Sequence, residues 1–184
     1  SRMPEIAPLD LPNGITLEHA TAGQGSRAIF FIHGYGDSWY SHSGMLAVLP
    51  PGWRAFAPSL RGHGGSSKPL QGYDLRQQAD DVLAFMAAEA IEKPVIVGHS
   101  MGSFIAQDIA IRHPEKLSHL VLIASATTSD NEVVEGLKAE VDKLSDPLPP
   151  NFARDFQSGT CVNPLGGGMT LERVIEESAK IPAH

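Results

Sequence analysis

The stretch Val95-Ile96-Val97-Gly98-His99-Ser100-Met101-Gly102 is a short apolar run that breaks into Gly-His-Ser-Met-Gly and then into a helical pattern. A serine between two glycines at the top of a buried strand suits a strained strand-to-helix turn, because glycine tolerates backbone crowding that a side chain forbids. Such a turn lifts the Ser100 hydroxyl clear of the sheet and aims the next backbone N–H at a bound carbonyl oxygen. Five residues alone are a weak signal. The strand before them and the helix after them supply the context that makes Ser100 a candidate nucleophile.

Outward from this turn the chain alternates strand and helix. Ile15-Thr16-Leu17-Glu18-His19-Ala20 alternates apolar with polar after Asn13-Gly14 and predicts an edge strand. Ala28-Ile29-Phe30-Phe31-Ile32 is apolar throughout, as a central parallel strand covered on both faces must be. Trp53 to Ala57 predicts another strand, closed by Pro58 and a glycine- and serine-rich loop over residues 60–67. From Asp74 as N-cap, Leu75, Ala79, Val82, Leu83, Met86 and Ala90 fall on one helical stripe, with Arg76, Gln77, Asp80 and Asp81 expected to face away. A helix through Phe104, Ile105, Ile109 and Ala110 follows the serine turn and stops near Pro114. Leu120 to Ile123 then predicts the next strand. The pattern implies an α/β fold with a mostly parallel sheet and right-handed crossovers. Residues 129–184 are polar and helical in pattern, broken by Asp146-Pro147-Leu148-Pro149-Pro150 and Gly166-Gly167-Gly168. The expected organisation is a core over residues 3–128 and a helical cap segment over 129–184.

Composition narrows the partners. The 184 residues are 42% apolar and carry a net charge of −7, and Lys and Arg do not cluster, which disfavours nucleic acid and anionic membrane surfaces. The single cysteine, Cys161, forms no internal disulfide and suits a reducing compartment. No apolar run approaches the roughly 18 residues of a membrane span, and no basic-then-apolar leader opens the chain, so the expectation is a cytoplasmic protein starting at Met3. The histidines lack metal-ligand spacing and no dinucleotide or phosphate loop is present, so no metal or cofactor is expected.

Three motifs in order, His33-Gly34-Tyr35-Gly36-Asp37-Ser38-Trp39, Leu60-Arg61-Gly62-His63-Gly64 and Gly98-His99-Ser100-Met101-Gly102, resemble the α/β-hydrolase superfamily. More narrowly they resemble its serine esterase and lipase-like branch with a helical cap after the sixth strand. The resemblance implies Ser100 as nucleophile and the backbone N–H groups of Tyr35 and Met101 as an oxyanion hole. It places Gly34, Trp39 and Tyr40, with Met101, at the substrate pocket, although aromatics at such places also serve as ordinary core. One departure is Pro58-Ser59-Leu60-Arg61, where relatives carry Asp before the Leu-Arg pair; it bears on the support of that loop. A larger one is that the family continues past the cap with two more strands bearing the acid and the catalytic histidine, and neither is found here. The expectation is therefore a fragment or truncated chain, or one that borrows the missing part, with Leu120 to Ile123 as an open edge through which copies could associate or exchange strands.

The remaining titratable residues are weaker candidates. His99 adjoins the serine but consecutive residues in a tight turn point apart, so it reads as a packing residue. His33 is expected to buttress the loop that follows it, and His63 to belong to loop architecture. His42 reads as pocket mouth or surface, and His184 as a terminal residue near Ser100 only by accident of folding. Asp130 is a thin substitute for the acid. The reading that follows is a serine hydrolase cleaving a small-molecule carboxylic ester through an acyl-enzyme. The alternatives are an inert fragment that associates with itself or its missing half and, among enzymes, C–C bond hydrolysis, lactone opening or perhydrolysis. Relatives that open epoxides or dehalogenate carry aspartate where this chain has Ser100.

Overall fold

A computed structural model describes residues 3–161 and 165–184. Six strands form one sheet: β1 (Glu5–Asp10), β2 (Thr16–Gly23), β3 (Arg27–Ile32), β4 (Trp53–Pro58), β5 (Val95–His99) and β6 (His119–Ile123). Their spatial order is β1-β2-β4-β3-β5-β6. The first two pairings, β1 with β2 and β2 with β4, are antiparallel, and the other three are parallel. The mostly parallel α/β sheet is therefore as expected.

One strand escapes the sequence reading. Glu5-Ile6-Ala7-Pro8-Leu9-Asp10 is the outer strand, so the strand over Ile15 to Ala20, expected at the edge, lies between β1 and β4. The proline masks the signal, since it cannot donate to a ladder, yet it is tolerated on an edge strand whose outer side has no partner. At the opposite margin β6 pairs only with β5, and Val121, Leu122 and Ile123 are 39–46% exposed.

Period-two alternation divides the central strands between two cores. Phe30 and Ile32 join Leu17, Phe56 and Ile96 beneath helices α2 (Leu75–Ala88) and α3 (Met101–Arg112), which contribute Val82, Phe85, Ile105 and Ile109. Phe31 points the other way, into a smaller cluster with Ala55, Ala57, Val97 and Trp39 beside the short helix α1 (Ser43–Ala47). Asp74 caps α2 as predicted, its side chain accepting the Gln77 N–H at 2.8 Å. Helices α4 (Glu132–Val141), α5 (Phe152–Thr160) and α6 (Leu171–Ser178) make up the later part of the chain, and no strand occurs among the described residues after Ile123.

Asp81, expected to face solvent, is 1% exposed. Its carboxylate receives Arg61 Nε at 2.6 Å and Nη2 at 2.8 Å, and Asn13 Nδ2 at 2.8 Å. The bidentate pair draws α2 toward the loop after β4 and overrides the helical stripe, because a buried guanidinium needs this partner.

Two buried histidines hold the loop after β3. His33 Nδ1 donates to Gly34 O at 2.7 Å while its Nε2 accepts the Leu60 N–H at 2.9 Å. His63 Nδ1 donates to Arg61 O at 2.9 Å while its Nε2 accepts the Gly36 N–H at 3.1 Å. Ser59, at the position where relatives carry Asp, accepts the Trp39 N–H at 3.1 Å and so supports the same segment. Burial lowers the pKa of both rings, that of His63 to about 4 and that of His33 well below its ordinary value. A second proton would also turn each accepting Nε2 into a donor facing another N–H.

Two predictions follow from this scaffold. Asp81→Ala leaves Arg61 buried and unpaired and should cost about 3–5 kcal/mol, whereas Asp80→Ala, which removes a half-exposed partner of Arg112, should cost less than about 1 kcal/mol; urea midpoints compare them. The unfolded chain binds the protons that His63 refuses when folded, so this contribution to stability is complete above pH 6.5 and is lost as the pH falls toward 4, on the order of 3 kcal/mol. Unfolding midpoints between pH 7 and 4.5 should fall accordingly, and His63→Gln should flatten the dependence.

Candidate functional site

Ser100 stands between the end of β5 and the start of α3 with φ 52° and ψ −119°. A side chain at positive φ costs on the order of 1–3 kcal/mol and persists only when its surroundings fix it. Here the Ser100 N–H donates to Ile123 O of β6 at 2.9 Å, and the Ser100 carbonyl accepts Ser103 N–H at 2.8 Å and Ser103 Oγ at 2.6 Å. The flanking glycines are steric requirements. A Cβ on Gly98 would collide with Gly102 O and Ser103 Cα, and one on Gly102 with the carbonyl oxygens of Ile32 and His33. Helix α3 therefore begins directly against the ends of β5 and β3, and the serine is what protrudes.

The loop after β3 comes up beside it, closed by the Asp37 N–H donating to Gly34 O at 3.2 Å. Among the described residues neither the Tyr35 N–H nor the Met101 N–H donates to a protein acceptor. Two cavities meet at Ser100 and Tyr35. One, of about 410 Å³, is bounded by Gly34, Asp37, His42, His99, Phe156 and Val174. The other, of about 750 Å³, is bounded by Tyr73, Met101, Phe104, Asp130, Val134 and Lys138. Helices α4, α5 and α6 supply the far walls, and both cavities open at the carboxyl ends of the strands, where open α/β sheets bind ligands.

Of the residues named from sequence, Ser100, Tyr35, Met101 and Gly34 come together here; Met101 lines the larger cavity alone. Trp39 and Tyr40 line neither cavity, which corrects their expected place in the pocket. Ser38 caps the short turn Trp39–His42 by accepting the Tyr40 N–H, and this turns the Trp39 ring down onto Phe31, Leu46 and Val97. Tyr40 reaches the start of α6 instead, where its hydroxyl accepts the Thr170 N–H at 3.3 Å and its ring lies 5.6 Å from the Arg173 guanidinium.

The titratable residues also sort differently from their sequence reading. His99 does not pack away: it is 38% exposed and lines the smaller cavity, with Nδ1 3.9 Å from Asp37 Oδ2. His42 is buried, stacked on Phe31 with ring centroids 4.9 Å apart, and burial lowers its pKa to about 4, so it is neutral at pH 7. His184 is bound to Asp146, Nδ1 to Oδ2 at 2.7 Å. Asp130 lines the larger cavity. Among the described residues no histidine or carboxylate forms a hydrogen bond with the Ser100 hydroxyl.

Two contributors went unnoticed in the sequence. Asp37 keeps only 15% of its side chain exposed, and burial raises its carboxyl pKa, opposed by hydrogen bonding to Gln157 and by His99. Gln157 of α5 is 1% exposed, its amide nitrogen 3.1 Å from both Gly36 O and Asp37 Oδ1 and 3.2 Å from Ser178 Oγ. Asp37 was visible inside the first quoted motif; nothing in the local sequence marks Gln157, whose partners on the loop after β3 lie 120 and 121 positions away. No cluster of three metal-ligating side chains occurs among the described residues, and none of their helices is long and apolar enough to cross a membrane.

The family model for the alpha/beta hydrolase fold matches residues 27–158. The dihydrolipoyllysine-residue acetyltransferase component of an acetoin cleaving system from Cupriavidus necator is 35% identical over 121 residues, covering 64% of this chain and 32% of that protein. A soluble epoxide hydrolase from Corynebacterium sp. is 31% identical over 111 residues, covering 60% of this chain and 38% of that protein. The matched stretch thus spans about a third of the length of these curated relatives. Among solved structures, an epoxide hydrolase from Vigna radiata superposes with a TM-score of 0.77 over 97% of this chain and 67% of its own, at 22% identity, a likeness of fold. With the strand order, the serine turn and a family match over most of its length, the chain belongs to the α/β-hydrolase fold family.

Proposed function

We propose that this protein is a serine hydrolase that cleaves carboxylic esters through an acyl-enzyme at Ser100. The observation that carries the reading is the backbone at Ser100, a positive-φ serine between a strand and a helix with two unengaged N–H groups, Tyr35 and Met101, beside it. In this reading Ser100 Oγ attacks the ester carbonyl carbon and its proton passes to a general base. The carbonyl oxygen, now carrying negative charge, is held by the Tyr35 and Met101 N–H groups, each worth about 2.7–4 kcal/mol of barrier in sites of this kind. The intermediate collapses with loss of the alcohol, which takes up the proton, and water then releases the acid by the reverse sequence. The base and the acid that orients it are assigned to residues other than those described.

Hydrolysis is the reaction named for several of the relatives. Epoxide opening is not carried over, because relatives that do it use an aspartate where this chain has Ser100, whereas a hydroxyl in that position supports acyl transfer. Similarity to an acetyltransferase component is in keeping with an acyl group as the moiety handled. Exposure to a fluorophosphonate should add one phosphonyl group to the intact mass, and Ser100→Ala should abolish the addition. An unlabelled protein, or labelling that survives in Ser100→Ala, would contradict the assignment.

A further inference from the structure

The smaller cavity has a polar pole where an acyl chain would enter. A Cβ placed on Gly34 would lie 3.2 Å from Ser100 Cβ, 3.4 Å from Asp37 Oδ2 and 3.4 Å from His99 Nδ1. One point above Gly34 is therefore bounded at once by the serine, a carboxyl oxygen and an imidazole nitrogen. With no side chain at Gly34, all three groups face the same cavity.

Asp37 is the unusual member. No lysine or arginine pairs with it among the described residues, and its only cationic-capable neighbour is His99 at 3.9 Å, beyond hydrogen-bond reach. Gln157 occupies Oδ1 from the far side, which fixes the carboxyl group. Ser41 and the Gly34 backbone also hydrogen-bond the carboxyl group, but a carboxylate offers about four lone-pair sites, which leaves capacity for one more donor from the cavity that Asp37 lines. A carboxyl group held in place by its own donors, with a lone pair to spare beside a nucleophile, suits recognition of a donor on the ligand.

The geometry points to a subsite, made by Asp37 Oδ2 and His99 Nδ1, for a hydroxyl on the second or third carbon of the acyl group. It rests on the ester-hydrolase reading, which places the acyl carbonyl at Ser100. A hydroxyl is the matching group because it both donates and accepts, and can serve the carboxylate and the imidazole together; an ammonium only donates and would leave the imidazole facing a cation. The adjoining wall is apolar, with Phe156, Met169 and Val174, so the rest of the chain can be hydrocarbon. The substrate class is a hydroxyacyl ester.

The test needs no turnover. NMR titration with butanamide, 2-hydroxybutanamide and 3-hydroxybutanamide compares uncharged, unreactive acyl groups that differ by one hydroxyl. At least one hydroxy compound should bind about tenfold or more tightly than butanamide, as expected for a hydrogen bond to a charged group. The ratio should fall to near one in Asp37→Asn, which keeps the shape and a partner for Gln157, and in His99→Leu. It should persist in Ser100→Ala. Equal affinities in the wild type, no binding by any of the three, or a preference that both variants retain would each overturn the subsite. Fluorophosphonate labelling reads Ser100 separately, so a labelled protein without the preference refutes the subsite alone, and a preference without labelling refutes the nucleophile alone.

Discussion

The site depends on how closely helix α3 can approach the ends of β3 and β5. Gly98 meets the backbone of Gly102 and Ser103, and Gly102 meets the carbonyls of Ile32 and His33, so any side chain at either position would push the helix away. At that separation the chain has no relaxed way to pass from strand to helix, and the strain falls on Ser100 at φ 52°. The compensating bonds come from three places: Ile123 of β6, the first turn of α3, and the packing of Ile105 and Ile109 into the core below. The local cost is small beside the core that imposes it.

A second set of constraints positions the loop opposite the serine. His33 and His63 each use both ring nitrogens on backbone groups of the loops after β3 and β4, in the neutral form that burial enforces. The Arg61–Asp81 pair fixes the second of these loops to α2, and Gln157 fixes the first to α5. The loop bearing Tyr35 is thereby fixed before any ligand arrives, as the proposed oxyanion role of its N–H requires. Preorganised dipoles of this kind need no reorganisation as charge develops, which is the physical basis of their use in catalysis.

Much of this was legible in the sequence. Continuous apolar runs at Ala28 to Ile32 and Val95 to Val97 announced parallel strands, and the glycine spacing around Ser100 announced the turn, because both signals arise from short-range sterics. Four features were hidden for physical reasons. The outer strand β1 contains Pro8, which weakens the pattern without weakening an edge. Asp81 sits on the polar side of the helical stripe, yet a guanidinium 20 residues away recruits it inward. Trp39 follows the motif closely enough to suggest the pocket, but the Ser38 cap rotates it into the core, and Gln157 acts across 121 residues that no local pattern spans.

In the proposed mechanism the Tyr35 and Met101 N–H groups and the Ser100 hydroxyl converge on one reacting carbonyl. Crystallography of the protein after reaction with a fluorophosphonate examines it directly, since the bound phosphonate mimics the tetrahedral intermediate. Phosphorus should be bonded to Ser100 Oγ, with one phosphoryl oxygen within about 2.7–3.1 Å of both nitrogens. A phosphoryl oxygen turned away from both, toward solvent or toward His99, would contradict it.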